Sequence, residues 1–218
     1  MTARLYGKLV VNTQLAVAGI QTNPAIQPYL AAYGYHLEEV AIGEALADEL
    51  STLIVEQAAV YGDQFAVAQE IGEAWATAKR AYTRTLKIAR VAWADDVEAT
   101  AALQLNGRRQ VGLGAWLQQA TLFYSNILAN PRLLAELGGY GYTAAKLEGE
   151  LGLVTAVREL KAVQEQKKGL ARAATKARNV KAAALREWLS DLRKVAAVAL
   201  ADDPTLLIGL GFRPPRGR

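Results

Sequence analysis

No cysteine occurs among the 218 residues, which excludes disulfides, thiolate nucleophiles and cysteine-based metal sites. His36 is the only histidine, so a di-iron carboxylate bundle, which needs two Glu-x-x-His motifs, is excluded too. Met1 is the only methionine, and aromatic residues are held to 7%. The six prolines stand outside the long periodic stretches, and no strand-like alternation competes with them. What is left is rich in Ala and Leu and 52% hydrophobic. That is a helix-forming composition, long enough to bury a sizeable core.

Charge is missing locally. Residues 9–37 and 110–131 contain no Asp, Glu, Lys or Arg. Both carry Asn and Gln, and the first carries two prolines, so neither is an apolar span of membrane length. They read as buried central helices, and no transmembrane segment is expected. The first residues lack the pattern of a secretory signal, so a cytoplasmic location is expected.

Asn23-Pro24 through Tyr33-Gly34-Tyr35 recurs 107 positions later as Asn130-Pro131 through Tyr140-Gly141-Tyr142. The same offset carries Ala92, Ala94, Asp95 and Asp96 onto Ala199, Ala201, Asp202 and Asp203, and matches Lys87 to Lys194 and Gly62 to Gly169. A period of this kind decides architecture before any other reading. It predicts two tandem copies of one unit, residues 1–107 and 108–214, followed by a basic tail, 215–218.

Within each copy the spacing predicts three long helices joined by short ones. In the first copy these cover 3–21, 36–60 and 64–94, with a break at Tyr61-Gly62-Asp63. In the second they cover 110–128, 143–166 and 170–201. Asn23, Asn130 and Asp203, each followed by proline, read as caps of short helices; Asp96 caps another. Gly34 and Gly141 read as left-handed helix ends. The expected fold is an all-α antiparallel bundle in which the copies pack about a pseudo-two-fold axis, their uncharged first helices at the centre. Two separate three-helix bundles are the alternative.

Few residues suggest chemistry. His36 stands where a helix N-terminus is expected. Asp95-Asp96 and Asp202-Asp203 resemble paired carboxylates that could hold Mg²⁺, yet each pair falls at a helix start, where capping explains one member. The Tyr-Gly-Tyr turns suit bundle ends better than ligand stacking. Gly112-x-Gly114 and Gly209-x-Gly211 lack the context of a nucleotide loop. No residue is assigned a catalytic, cofactor-binding or metal-binding role, and no cofactor is expected.

The anomaly is the distribution of charge. Residues 1–107 hold 7 basic and 12 acidic residues; residues 108–218 hold 18 and 9. Residues 36–78 carry nine acids and no Lys or Arg, whereas the equivalent stretch of the second copy is basic. Drift on solvated faces, complementary association, and binding of nucleic acid or anionic membrane all fit such a split. The basic stretch has no interleaved aromatics for stacking, which counts against nucleic acid.

With the repeat, Lys87-Ile88-Ala89-Arg90-Val91-Ala92 and Ala201-Asp202-Asp203-Pro204-Thr205-Leu206-Leu207 in view, the chain resembles a group of bacterial all-helical proteins built as a tandem duplication. The resemblance implies the helical fold and a bacterial origin. The group has no assigned activity and supplies no site residues.

The reading that follows is a non-enzymatic structural or interaction protein, a helical module with acidic and basic halves that self-associates head-to-tail or docks a protein partner. The residues expected to carry the contact are Glu49, Glu56, Asp63 and Glu70 on one side and Lys161, Lys167, Lys168, Arg172 and Lys176 on the other. Binding of nucleic acid or an anionic membrane through the basic stretch is the alternative. A membrane-active pore and a Mg²⁺ enzyme using Asp95, Asp96, Asp202 and Asp203 rank behind these.

Overall fold

The computed structural model describes residues 3–214; the basic tail 215–218 lies outside the described residues. Among the described residues all eight elements are helices: α1 (Ala3–Thr22), α2 (Gln27–Ala31), α3 (Leu37–Ala92), α4 (Val97–Ala102), α5 (Leu113–Ala129), α6 (Pro131–Gly138), α7 (Ala144–Ala199) and α8 (Leu206–Gly209). No strand occurs among the described residues. The protein is all-α, as the composition and periodicity indicate.

Most caps stand where the sequence puts them. The Asn130 side chain accepts from the backbone N–H of Arg132 and Leu133, and Pro131 opens α6. Asp96 accepts from Ala99 N–H at 2.8 Å and starts α4. Gly34 and Gly141 have φ of +89° and +77°, the left-handed conformation that glycine reaches without a Cβ clash. Behind them Tyr35 N–H returns to the Leu30 carbonyl, and Tyr142 N–H to that of Leu137. Three short helices differ from expectation, one being α8, which begins at Leu206 behind Thr205 rather than at Pro204 behind Asp203. Asn23 closes a turn onto Ile26, and α2 begins only at Gln27, with Pro28 in its first turn. α4 ends at Ala102, short of Asn106-Gly107, and Gln104 takes the left-handed φ of +50°.

The main correction concerns the long helices. The break expected at Tyr61-Gly62-Asp63 does not form: α3 is a single helix of 56 residues, and so is α7 across Gly169. A glycine without proline costs a helix only about 1 kcal/mol. The flanks are also tied down. Tyr61 OH lies 3.4 Å from Thr175 Oγ1, and Lys167 Nζ donates to Asp63 at 2.6 Å. Residues 1–107 and 108–214 thus each have two long helices, not three.

Continuity changes how the chain packs. A helix without a break cannot fold its second half back on its first, so each half must find cover elsewhere. Compact units form from Met1–Gly62 with Gly169–Arg218, and from Asp63–Lys168. The units therefore do not coincide with residues 1–107 and 108–214. The first helices, expected together at one centre, fall into different units: α1 in the first, α5 in the second.

In the first unit, α1 runs antiparallel to the start of α3. Gln21 Nε2 donates to Glu44 at 3.0 Å, while Tyr6 and Val10 pack in one cluster with Ala47 and Leu50. The end of α7 closes the core with Leu185, Leu192 and Ala196. Gly43 is fixed by this packing, because a Cβ there would lie 2.2 Å from the Trp188 ring. Gly19 is fixed similarly, 2.3 Å from the Gly209 carbonyl oxygen by the same measure.

In the second unit, Tyr82 sits among Trp116, Phe123 and Tyr124 at centroid distances of 6.0, 5.3 and 6.2 Å, all edge-on. Trp93, Leu137, Leu147, Val154 and Val157 extend this core. Along this part of α3 the buried positions Tyr82, Leu86, Ala89 and Trp93 follow three- and four-residue steps. Upstream, Val67 and Ile71 are buried, and Phe65 is 70% exposed.

Candidate functional site

The acidic and basic stretches meet inside the chain, one helix beside the other, in both units. In the first unit Lys181 pairs with Glu49, Gln57 donates to Thr175 at 2.8 Å, and Arg178 donates to Gln57 Oε1. Arg178 also lies 4.2 Å over the Tyr6 ring, whose hydroxyl donates to Asn179 at 2.8 Å. In the second unit Lys167 pairs with Asp63. Of the complementary contacts that the charge split allows, these two form within the chain. Both stretches are lengths of continuous helix, and antiparallel packing sets them side by side within each unit.

The remaining expected contact residues separate into two sets. Lys161 and Lys168 both donate to Glu165, at 2.7 and 3.0 Å, and their two cations hold its carboxyl down to about 2. Glu56, Glu70, Arg172 and Lys176 are exposed and point to solvent.

The other candidates settle into structural positions. His36 immediately precedes α3, and its carbonyl accepts from Val40 N–H. It also borders a cleft of about 440 Å³ lined by Ile20, Gln27, Pro28, Ala31, Tyr35 and Glu38, which spacing alone gave no means of finding. The Tyr35 hydroxyl pKa is raised by burial and by the nearby Asp191 and Glu39 carboxylates. Asp95 and Asp96 do not act as a pair. Asp96 caps α4 and accepts from Arg132 at 2.6 Å, whereas Asp95 is exposed. The cap, then Arg132, holds the Asp96 carboxyl below the ordinary aspartate range. Asp203 accepts from Thr205 N–H at 3.2 Å.

Two networks in the second unit went unread in the sequence. Glu150 accepts from the hydroxyls of Thr85 and Tyr124, both buried in the core. Burial, and then the Glu150 charge, push the Tyr124 phenol far up. Glu136 accepts from Trp93 Nε1 at 2.6 Å and faces Arg132 at 3.4 Å. A signal for the first existed: the 107-residue offset sets Glu150 opposite Gly43, a departure that marks a changed environment.

The exposed face of α1 was also missed, because an uncharged helix was expected to be buried all round. Arg4, Lys8, Val11, Leu15, Ala18 and Thr22 recur at four- and three-residue steps, and all are exposed. Val11 and Leu15 are 52% and 54% exposed. The inner face, with Tyr6, Val10, Ala16, Val17 and Ile20, is buried. The positions 107 residues on from Val11 and Leu15 are Gln118 and the half-buried Leu122, so α5 has no such stripe.

Among the described residues no helix is long and apolar enough to cross a membrane, and no three His, Asp or Glu side chains gather as a metal site. Fold and surface together define an all-helical protein of two compact units. The chain matches no protein-family model, no curated protein and no solved structure.

Proposed function

We propose that the protein is a helical interaction module, non-enzymatic, that works by association with protein. The observation that carries this reading is the outer stripe of α1, an apolar and basic seam at coiled-coil spacing on a helix whose other face is already packed. The charge split has a second part in it. Lys167, Lys181, Asp63 and Glu49 are engaged within the chain, while Glu56, Glu70, Arg172 and Lys176 remain outward and available to another molecule.

The test is sedimentation of the full chain from about 50 mM to about 500 mM salt, across which screening tightens severalfold. Self-association that weakens with salt, without loss of helicity, is the expected result. A monomer throughout overturns the self-associating form of the proposal. Exposed Arg172 and Lys176 favour a second reading, binding of nucleic acid or anionic lipid. A salt-sensitive gel shift lost on reversing these two residues would establish it.

We propose also that the chain arose by tandem duplication. Supporting this, α3 and α7 have equal length, and each bound of α7 lies 107 residues after that of α3. Asp96, which caps α4, and Asp203, which accepts from Thr205 N–H just before α8, share the same offset.

A further inference from the structure

We infer that the outer face of α1 is covered by α1 of a second copy of this chain, antiparallel, about a two-fold axis passing beside Val11. The inference rests on the interaction reading above and names its partner. The argument begins with the distribution of charge on the face. Arg4 and Lys8 hold the N-terminal half, and residues 9–22 of α1 carry no charge. No ion pair engages either cation among the described residues.

The C-terminal half of α1 is instead flanked by acid. The hydrogen bond from Gln21 sets Glu44 of α3 level with the end of α1. Because the helices run antiparallel, Asp48, one turn further along α3, lies level with about residue 17 of α1. Asp48 is exposed and stands on the same side of α3 as Glu44. On its α3 side the face is therefore cationic at one end and anionic at the other, with Val11 and Leu15 between; the chain after α8 also approaches Leu15, where a Cβ on Gly211 would lie 3.8 Å from it.

Such a face complements itself only when turned end for end. A two-fold at Val11 sets Val11 against Val11, Lys8 level with Gln14 and so beside Leu15, and Arg4 level with Ala18 of the second copy. The lysine stem covers Leu15 while its ammonium, with the Arg4 guanidinium, reaches the level of Asp48 and Glu44 across the interface. A parallel arrangement would stack Arg4 and Lys8 on their own copies, and like charges repel. The antiparallel contact is isologous, so it stops at a dimer and leaves no open end.

The absence of cysteine makes the geometry directly testable in the full chain. Val11→Cys places two thiols beside the axis, within the roughly 7 Å Cα separation that a disulfide spans. Mild oxidation is expected to yield a covalent dimer. Ala18→Cys is the control: its two copies stand 14 residues apart along the pair, about 21 Å, and are not expected to cross-link with each other. Val11→Asp should raise the dimer dissociation constant about tenfold or more in sedimentation, with helicity and melting unchanged. Lys8→Glu should weaken the dimer, and Lys8→Glu with Asp48→Lys should restore it.

Salt-sensitive oligomers that ignore Val11→Asp and fail to cross-link at position 11 overturn this inference while leaving the interaction reading standing. A monomer at every salt concentration, with no cross-link, removes both. A monomeric chain that floats with anionic phosphatidylserine vesicles, and loses this with Val11→Asp, assigns the stripe to a lipid surface instead and likewise overturns the dimer.

Discussion

Asp96 and Glu165 show how single side chains tie helices together, and both make pH predictions. Each carboxyl titrates below its ordinary range, so each contributes stability above that range and loses it as pH falls through the depressed value. Asp96→Ala should lower the melting temperature at neutral pH, by loss of the α4 cap and the Arg132 contact. The difference from the parent should shrink as pH falls below the ordinary aspartate value of 3.8. Glu165 is solvated, so its signature is spectroscopic rather than a large change in stability. A carbon-detected titration should find its midpoint at about 2, and Lys161→Ala should bring it back toward 4.5. The Asp96 cap was legible because Asp before a short apolar helix is a start signal. Its salt bridge was not, since Arg132 is 36 residues away in sequence.

At the scale of the element, the continuity of α3 and α7 gives the sharpest test. Gly62 and Gly169 lie mid-helix, neither with a left-handed φ, and a Cβ at either meets nothing within 4 Å. Gly62→Ala and Gly169→Ala should therefore each stabilise the protein, by up to about 1 kcal/mol. Were Tyr61-Gly62-Asp63 a turn requiring left-handed glycine, the same change would destabilise. Urea denaturation of the two variants decides between them. Gly19→Ala should have the opposite effect. A methyl group there meets the Gly209 backbone oxygen at 2.3 Å, which no rotamer change relieves. Overpacking of this kind costs about 1–3 kcal/mol. The spacing places Gly19 inside a helix and Gly62 at a helix break, which gives no sign that Gly62 is the one a methyl group can replace. Only their neighbours separate the dispensable one from the essential one.

For the whole molecule, the division of the chain predicts which fragments fold. Residues 63–168 are continuous in sequence and contain a complete compact unit. Expressed alone, they should be helical and melt cooperatively. Residues 1–107 should not, because the start of α3 loses its cover from the end of α7, including Leu185, Leu192 and the Lys181 contact. Circular dichroism melts of the two fragments check this. A cooperative transition in 1–107 that matches the intact chain would contradict the packing described.

The all-helical class, the caps at Asn130 and Asp96, the left-handed turns at Gly34 and Gly141 and the 107-residue period were all set by the sequence alone. They depend on local backbone chemistry or on comparing the chain with itself, and need no knowledge of distant neighbours. Only the tertiary structure decided that α3 and α7 run unbroken, that Lys167 and Lys181 find their acids within the chain, and that α1 leaves Val11 and Leu15 outside. Those outcomes turn on contacts between residues 100 or more apart, such as Asp63 with Lys167. A glycine's cost of about 1 kcal/mol is small enough for such contacts to outweigh.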